Sequence, residues 1–466
     1  MILSASLAYL LLRVQPVISA SNVVHYPPIL SNINNLTYVL NGSGAPGIYN
    51  SSTTNRAIYG TYNWCNMPHA RKEEYRQVES HSFFPEVSHI TRSGEPLGLR
   101  IDMFQLSLTF LRQWQSFRDL NNPWTTTVGP GFVNSSCQFP QITSDGLQDS
   151  YTHGSVGPSF ISIFHLLNNL QDLRGVYGQR LGFHDRLDLH QIRIRVTNNV
   201  ITSQVASGLL KGLFPQANPS DLTVLIQPST FDSLEPTYSC PRSSTLRNSY
   251  TTGSAGQQWR DHLRQAAPLY SKLDKISGIS PQDSAGWHSS FDHYYDNMSA
   301  KQCHGKSLPC SVNDTSLCVT QQDANTIYRL GNWEYSWQYR DAPDSAKYAA
   351  LRYGAWMLEL KSHLQSKIDG TSSVKYFHNI AHDGSISSLL GFLQISQMVW
   401  PGMGSEVVFE LYRKESEYFI RVLWGGQPMH TSTPLGVLDT IPYENFIAYI
   451  DKMVGSAQDL YAECNQ

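Results

Sequence analysis

A histidine and an aspartate, His382 and Asp383, lie between an apolar run that ends at Ala381 and a new apolar pattern at helical spacing. The pattern predicts a strand, then a helix. In open α/β sheets, ligands bind at the carboxyl ends of strands, where the N–H groups of the next helix favour an anion. A histidine beside an acid at this position predicts phosphate chemistry, with His382 as a cationic oxygen ligand and Asp383 as the proton donor to a leaving alcohol.

Simpler alternatives exist for the same residues. An aspartate immediately before a helix is a favourable N-cap, which alone would explain Asp383. His-Asp dipeptides also occur by chance: a second one, His184-Asp185, opens a polar loop and indicates a turn. The local sequence therefore leaves both a ligand site and a helix cap open for Asp383.

The composition is that of an ordinary globular protein. The chain has 466 residues, of which 41% are hydrophobic and 15% charged, and this length suits two domains or one large domain with an insertion. The formal net charge of −3 gives no indication of a nucleic-acid or membrane-surface partner. A small-molecule partner is expected, and the oligomeric state stays open.

The N-terminus predicts secretion. Residues 1–20 combine an apolar core with small residues at Ser19 and Ala20, which is typical of a signal peptide; a buried N-terminal helix is the alternative. No later apolar run approaches the roughly 20 residues that a membrane span needs. N-glycosylation sequons favour a secreted glycoprotein, extracellular or in a cell wall. They lie at Asn35, Asn41, Asn50, Asn134, Asn297 and Asn313.

The cysteines predict structural disulfides. They are scattered and lack the paired C-x-x-C spacing of a zinc site, so disulfides in an oxidising compartment are expected. The odd count leaves one thiol unpaired or one partner missing. The seven are Cys65, Cys137, Cys240, Cys303, Cys310, Cys318 and Cys464.

Periodicity predicts an α/β protein in which helices cover both faces of a sheet. Strands are predicted at 192–196, at 374–381 and, as a hairpin, within 405–429. Helices are predicted at 101–117, 155–183, 201–212, 345–364 and from about 386. Residues 21–60 are predicted to form an extended glycosylated arm, and residues 216–325 an irregular segment held by disulfides.

An ordered set of motifs resembles the histidine acid phosphatase family, branch 2 of the histidine phosphatase superfamily. "AHDGSISSLLGFL" is similar to the family's His-Asp and helix, and "SEVVFELYRKESEYFIRVLWGG" to the strand and closing hairpin that follow. "CQFPQITSDGLQDSYTHG" resembles its Leu-Thr, Gly, Gln and helix, and "IRVTNNVITSQVASGLLKGLFP" its Arg-Ser-Thr strand and helix. The stretch "CNMPH", Cys65 to His69, resembles the secreted fungal branch. Together these motifs cover most of residues 60–445.

The resemblance implies an acid phosphatase that hydrolyses phosphate monoesters through a phosphohistidine, with inositol phosphates as one candidate substrate class. His382 matches the phosphate-binding histidine, Asp383 the acid that protonates the leaving oxygen, and Arg195 an arginine that clamps the phosphoryl oxygens. Strand periodicity places Arg193 on the same face as Arg195, so only the motif selects Arg195, and a strand-end surface charge is its alternative. No cofactor and no metal are expected.

The resemblance also implies the fold. It is a three-layer α/β fold, a phosphoglycerate-mutase-like mixed sheet with helices on both faces and a smaller, mostly helical cap. The phosphatase-like domain is expected over residues 61–466, with the cap inserted at about 205–370. The active site is expected between the core and the cap.

The nucleophile of the family is not found. It is a histidine in Arg-His-Gly-x-Arg-x-Pro, or in a fungal variant with Arg-His and a later Arg-Thr-Pro, just after the first core strand. His69 follows Pro68 rather than an arginine, and "TRSGEP" has Ser93 in place of the histidine. The other candidates, His81 and His89, lack flanking arginines.

Substitution by His69 is one explanation of this departure, and two further hypotheses exist. Either the chain is a pseudophosphatase that binds phosphate esters without turnover, or its gene model lacks the nucleophile segment near residues 75–88 and includes translated intron at 155–171. The odd cysteine count and the absence of a counterpart of 155–171 in the family pattern favour the second hypothesis. Sequencing the full-length cDNA decides: a cDNA that encodes the 466 residues unchanged contradicts the second hypothesis.

Overall fold

A mixed β-sheet organises the fold. The computed structural model describes residues 23–47, 49, 62–72, 74–78, 82–92, 142, 144–154, 173–183, 188, 190–216, 224–284 and 286–466. The strands are β1 (Ser82–Arg92), β2 (Ile192–Val196), β3 (Leu225–Ile226), β4 (Tyr376–Ala381), β5 (Glu406–Lys414), β6 (Glu417–Trp424), β7 (Gln427–Pro428) and β8 (Ile441–Pro442).

The helices are named in chain order among the described residues. They are α1 (Leu36–Asn41), α2 (Ser144–Gly154), α3 (Leu173–Leu181), α4 (Val200–Leu213), α5 (Pro241–Tyr250), α6 (Gln257–Gln265), α7 (Ala267–Ser277), α8 (Asp292–Cys303), α9 (Gln321–Ser336), α10 (Ser345–Ile368), α11 (Asp383–Phe392), α12 (Tyr443–Val454) and α13 (Ala457–Cys464). A short π-helical turn, Trp337–Asp341, follows α9 directly.

The strand order brings three strand ends together. It is β3-β2-β4-β1-β5-β6-β7, with β8 paired to β6. Strand β4 runs parallel to both β2 and β1, whereas β5 and β6 are antiparallel. The register places Val196 opposite Ile380 and Arg92 opposite Ala381. Strands β2, β4 and β1 therefore end at one edge of the sheet, and the residues that follow β2 and β4 converge there.

Helices cover both faces of the sheet. Successive side chains of a strand point to opposite faces, and here both sets are buried. On one face, Ile194, Val196 and Ile380 pack with α3 and α4. On the other face, Ala381 and Phe409 pack with α10, α11 and α12. The predicted three-layer α/β fold is confirmed.

Both helices at the carboxyl edge begin shortly after a strand. Helix α4 begins after Asn199, whose side chain accepts a hydrogen bond from the Ile201 N–H at 3.0 Å. Helix α11 begins at Asp383, so His382 occupies the N-cap position and makes no side-chain cap bond. The interpretation of Asp383 as an N-cap is therefore wrong. Asp383 lies in the first turn, where its negative charge interacts favourably with the helix dipole.

The segment 216–325, predicted to be irregular, contains the helices α5 to α8 and the start of α9, with non-helical stretches between them. Some of its Ser, Asp and Pro residues mark helix ends: Pro241, for example, is the first residue of α5. The predicted disulfides are confirmed. They join Cys65 to Cys303, Cys240 to Cys464 and Cys310 to Cys318, and Cys137 lies outside the described residues.

The other predicted elements have mixed outcomes. Strands β2 and β4, helices α4 and α10 and the β5–β6 hairpin are confirmed. Part of the predicted arm differs, because Leu36–Asn41 forms α1 with Val39 buried. Residues 1–20, 101–117 and 155–171 lie outside the described residues. In the part that the structure describes, every helix is too short or too polar to cross a membrane.

Helix α11 packs closely against the backbone of Tyr339 at Gly391, so a side chain at Gly391 should destabilise the fold. A Cβ at Gly391 would overlap the carbonyl oxygen of Tyr339, whereas a Cβ at Gly384 would lie 3.6 Å from the Tyr339 hydroxyl, an ordinary contact. Gly391→Ala should therefore lower the free energy of unfolding by about 1–3 kcal/mol. Gly384→Ala, the control on the same helix, should change it by less than about 0.5 kcal/mol. Equal effects in urea denaturation would contradict this packing.

Candidate active site

The ends of β2 and β4 bring His382 and Thr197 into contact. The Nε2 atom of His382 lies 2.9 Å from the Thr197 hydroxyl oxygen and 3.7 Å from a carboxylate oxygen of Glu235. Thr197 is fully buried, whereas the His382 side chain is 23% exposed. The imidazole is therefore fixed on one side by the protein and accessible on the other.

A second threonine extends this contact into the protein. The Thr197 hydroxyl lies 3.1 Å from the hydroxyl of Thr202, which is also fully buried. The Thr202 hydroxyl donates to the carbonyl oxygen of Asn199 at 2.8 Å. The carbonyl oxygen of Thr197 also lies 3.1 Å from the Thr202 hydroxyl. The turn between β2 and α4 thus forms a hydrogen-bonded path that ends at His382.

Asp383 is held by two aromatic side chains. One carboxylate oxygen accepts hydrogen bonds from the Tyr335 hydroxyl at 2.7 Å and from the Trp400 indole N–H at 2.6 Å. The other oxygen accepts from the Gly384 N–H at 2.8 Å. Burial and then the charge of Asp383 raise the pKa of Tyr335 well above its ordinary value, so the phenol stays a donor. Among the described residues, a phenol, an indole and a backbone N–H thus orient the carboxylate.

The two donors belong to an aromatic cluster. Trp400 stacks on Tyr335 with ring centroids 3.8 Å apart, and it contacts Tyr295 at 4.2 Å and Trp64 at 5.2 Å. Trp64 precedes Cys65, whose disulfide to Cys303 joins this stretch to the end of α8. The position of Asp383 therefore depends on segments that are remote from it in sequence.

Arg195 is buried and paired with acids. It is 4% exposed, so the interpretation as a surface charge is wrong. Its guanidinium nitrogens lie 2.7 Å from a carboxylate oxygen of Asp232 and 2.7 Å from one of Glu359. Among the described residues, no hydrogen bond or ion pair joins Arg195 to His382. The structure thus brings His382 and Asp383 together at the edge, and it places Arg195 in β2, two residues before Thr197.

The nucleophile candidates lie around β1. Strand β1 ends at Arg92, and the chain continues with Ser93, which lies outside the described residues, as does His81. His89 lies within β1. The ring of His69 is buried, with its Nδ1 3.0 Å from the Met67 carbonyl oxygen.

His69 lies beside a buried acid at the same edge of the sheet. The N–H of the next residue, Ala70, donates to Glu406, and the ring of His69 packs against His153 with centroids 4.5 Å apart. His153 lies 3.3 Å from Glu406. Because Glu406 is opposite Thr91 in β1, this group is separated from the end of β4 by strand β1. In the described ranges, no three His, Cys, Asp or Glu side chains are arranged to hold a metal.

Sequence reasoning missed several residues of the site. Thr197 was visible in the motif Arg195-Val196-Thr197, but no local pattern assigns it to His382. Tyr335 and Trp400 reach Asp383 from 48 and 17 residues away. Such contacts have no sequence signal because they follow from tertiary packing.

Comparison with known proteins identifies a family model and distant relatives. The model of the histidine phosphatase superfamily (branch 2) matches residues 171–424. Counting factor 60 of Dictyostelium discoideum is 25% identical over 244 residues, which are 51% of this chain and 54% of that protein. Prostatic acid phosphatase of Homo sapiens is 25% identical over 290 residues, which are 59% of this chain and 70% of that protein. The chain spans about half the length of the first relative.

A solved structure has a similar fold. The apo form of Hafnia alvei phytase superposes with a TM-score of 0.50 at 14% identity, covering 83% of this chain and 99% of that chain. At this identity the likeness supports the fold alone. The family match confirms the resemblance to histidine phosphatases of branch 2, and the fungal branch stays a prediction.

Behind the site, a buried histidine predicts acid sensitivity. His378 in β4 is fully buried and its Nδ1 lies 2.7 Å from the Tyr376 hydroxyl; burial, then the charge of His153, lowers its pKa well below the ordinary value. The unfolded chain binds a proton there below about pH 6.5 and the folded chain does not. The free energy of unfolding should therefore fall as the pH drops through about 6.5.

The variant His378→Asn keeps an acceptor for Tyr376 and removes the titration. Between about pH 6.5 and pH 5, its free energy of unfolding should depend on pH less steeply than that of wild type, by roughly 1 kcal/mol per pH unit. Urea denaturation at several pH values measures both slopes, and each protein at about pH 7.5 serves as its own reference. Identical slopes would show that His378 is protonated in the folded state too.

Proposed function

The chain belongs to the histidine phosphatase superfamily, branch 2, and from this premise we propose that its active site binds and hydrolyses phosphate monoesters. One observation supports the proposal most directly. A histidine and an acid follow β4 at the carboxyl edge, with Thr197 of the neighbouring strand end 2.9 Å from the histidine. Such an edge is where α/β folds bind ligands.

Each residue has a role in this proposal. The imidazole of His382 donates an N–H to a phosphoryl oxygen, and the positive end of the α11 dipole favours the anion. Asp383 in its protonated form donates a proton to the leaving oxygen as the ester bond breaks. Arg195 binds a phosphoryl oxygen through its guanidinium fork. That contact requires at least one of its ion pairs, to Asp232 or to Glu359, to open.

The covalent step is the finer part of the proposal. A histidine nitrogen attacks phosphorus, the bond to the leaving oxygen breaks, and water later cleaves the phosphohistidine. Among the histidines considered from the sequence, His69 is the candidate nucleophile whose side chain is described. Its Nδ1 contact with the Met67 carbonyl fixes the ring, as a nucleophile requires. Inositol phosphates are a candidate substrate class within the monoesters.

Location and organisation are also proposed here. Three disulfides in the described residues support an oxidising compartment, which agrees with a secreted glycoprotein whose residues 1–20 are a signal peptide. A cap at about 205–370, inserted in the domain 61–466, would supply Tyr335 to the site. The secreted fungal branch remains the proposed subgroup.

A second candidate is a phosphate-ester-binding protein without turnover. The sequence after Arg92 favours it, because Ser93-Gly94 follows the central strand where the family has His-Gly. His382 and Arg195 would bind a phosphate ester in either case. The two candidates differ only in the nucleophile.

A turnover and binding experiment tests both. The full chain is assayed with p-nitrophenyl phosphate across acid pH and titrated calorimetrically with inorganic phosphate, beside Asp383→Asn, His382→Ala and His69→Ala. His190→Ala is the matched control, since His190 is exposed and precedes β2 at the opposite edge of the sheet. Phosphate affinity should fall at least tenfold in His382→Ala and stay unchanged in His190→Ala, because His382, unlike His190, would contact the anion.

The outcomes separate the candidates. Turnover that is lost in Asp383→Asn and His69→Ala supports the hydrolase with His69 as the nucleophile. Phosphate binding without turnover at any pH supports the binding protein. A folded wild-type chain that neither binds phosphate nor hydrolyses the ester contradicts the proposed function in both forms.

A further inference from the structure

The hydroxyl of Thr202 has a fixed direction. A hydroxyl group has one hydrogen, and a carbonyl oxygen can only accept. Because Thr202 lies 2.8 Å from the carbonyl oxygen of Asn199 and 3.1 Å from that of Thr197, its hydrogen is committed to these oxygens. Towards the hydroxyl of Thr197, 3.1 Å away, Thr202 can therefore only accept.

This direction determines the next two bonds. The Thr197 hydroxyl donates its hydrogen to Thr202, so it has only lone pairs left for His382. The contact of 2.9 Å between the Thr197 oxygen and Nε2 of His382 then requires that Nε2 carries a hydrogen. The path runs in one direction, from the imidazole through both hydroxyls to a carbonyl.

A second acceptor lies on the same side of the ring. A carboxylate oxygen of Glu235 is 3.7 Å from Nε2 of His382 and lies on a side chain that is 40% exposed. Nε2 of His382 thus has two acceptor groups nearby, the Thr197 hydroxyl and the Glu235 carboxylate. Within the described part of the chain, no partner contacts Nδ1, the other ring nitrogen.

We infer that Thr197 and Thr202 are positioning residues that hold the hydrogen of His382 on Nε2 and thereby direct Nδ1 to the phosphoryl group. This inference rests on the proposed function for the identity of the ligand. In the neutral ring Nδ1 has a lone pair, and the second proton that makes the cation binds there. The N–H that meets a phosphoryl oxygen is therefore the one on Nδ1, while the hydroxyl path keeps the ring from turning.

Nitrogen chemical shifts test the path without reference to function. The full chain is labelled with 15N-histidine and measured at about pH 8, above the ordinary pKa of imidazole, with His382→Asn to assign the signals. Wild type should show a protonated Nε2 and an unprotonated Nδ1. Thr197→Val removes the acceptor at equal volume and should give a mixture of both tautomers, whereas Thr197→Ser should keep the wild-type shifts. Thr202→Val should also give a mixture, because the direction of the path is lost.

Phosphate affinity tests the consequence. In calorimetric titrations with inorganic phosphate at acid pH, Thr197→Val should bind roughly tenfold more weakly than wild type, which is about 1.4 kcal/mol. Thr197→Ser should stay within about twofold, since its hydroxyl restores the contact. Thermal unfolding checks that the variants are folded.

The results test the hydroxyl path and phosphate binding separately. Wild-type His382 with its hydrogen on Nδ1 overturns the inference, and so do equal affinities in Thr197→Val and Thr197→Ser. A wild-type chain that shows the predicted shifts and binds no phosphate contradicts the proposed function and leaves the hydroxyl path established.

Discussion

The parallel pairing of β4 with β2 and β1 is the constraint on which the rest of the site depends. Parallel strands with a common register must end at the same edge, and here the register fixes which residues meet. Val196 opposite Ile380 places Thr197 beside the chain that continues to His382. A shift of one residue would turn every side chain of the strand to the other face, and the hydrogen bond between Thr197 and His382 would be lost.

The remaining layers keep this edge in place. One face of the sheet is packed by α3 and α4, the other by α10 to α12, so the strand ends have little freedom to move. Asp383 is held from a third direction by Tyr335 and Trp400. Arg195 is bound by Asp232 and Glu359, which stabilises a buried charge that would otherwise be costly. The strand ends, Asp383 and Arg195 are thus each held by packing, hydrogen bonds or ion pairs.

The sequence predicts the strands that form this site better than it predicts the side-chain contacts within it. Alternation at 192–196 and the apolar run before His382 give β2, β4 and the position of the His-Asp pair, because a strand pattern is local. The helices within 216–325 and helix α9 were missed, although the pair Thr320 and Asp323, a capping box, was a readable signal for α9. The partners of Arg195 and Asp383 could not be predicted, since tertiary packing alone brings them together.

A crystal structure of the full chain grown with inorganic phosphate at acid pH tests the central claim most directly. The account predicts phosphate at the common end of β2 and β4, with an oxygen within hydrogen-bonding distance of Nδ1 of His382 and near the first turn of α11. Phosphate bound only elsewhere on the chain, with this edge unoccupied and the Thr197 contact intact, would contradict it.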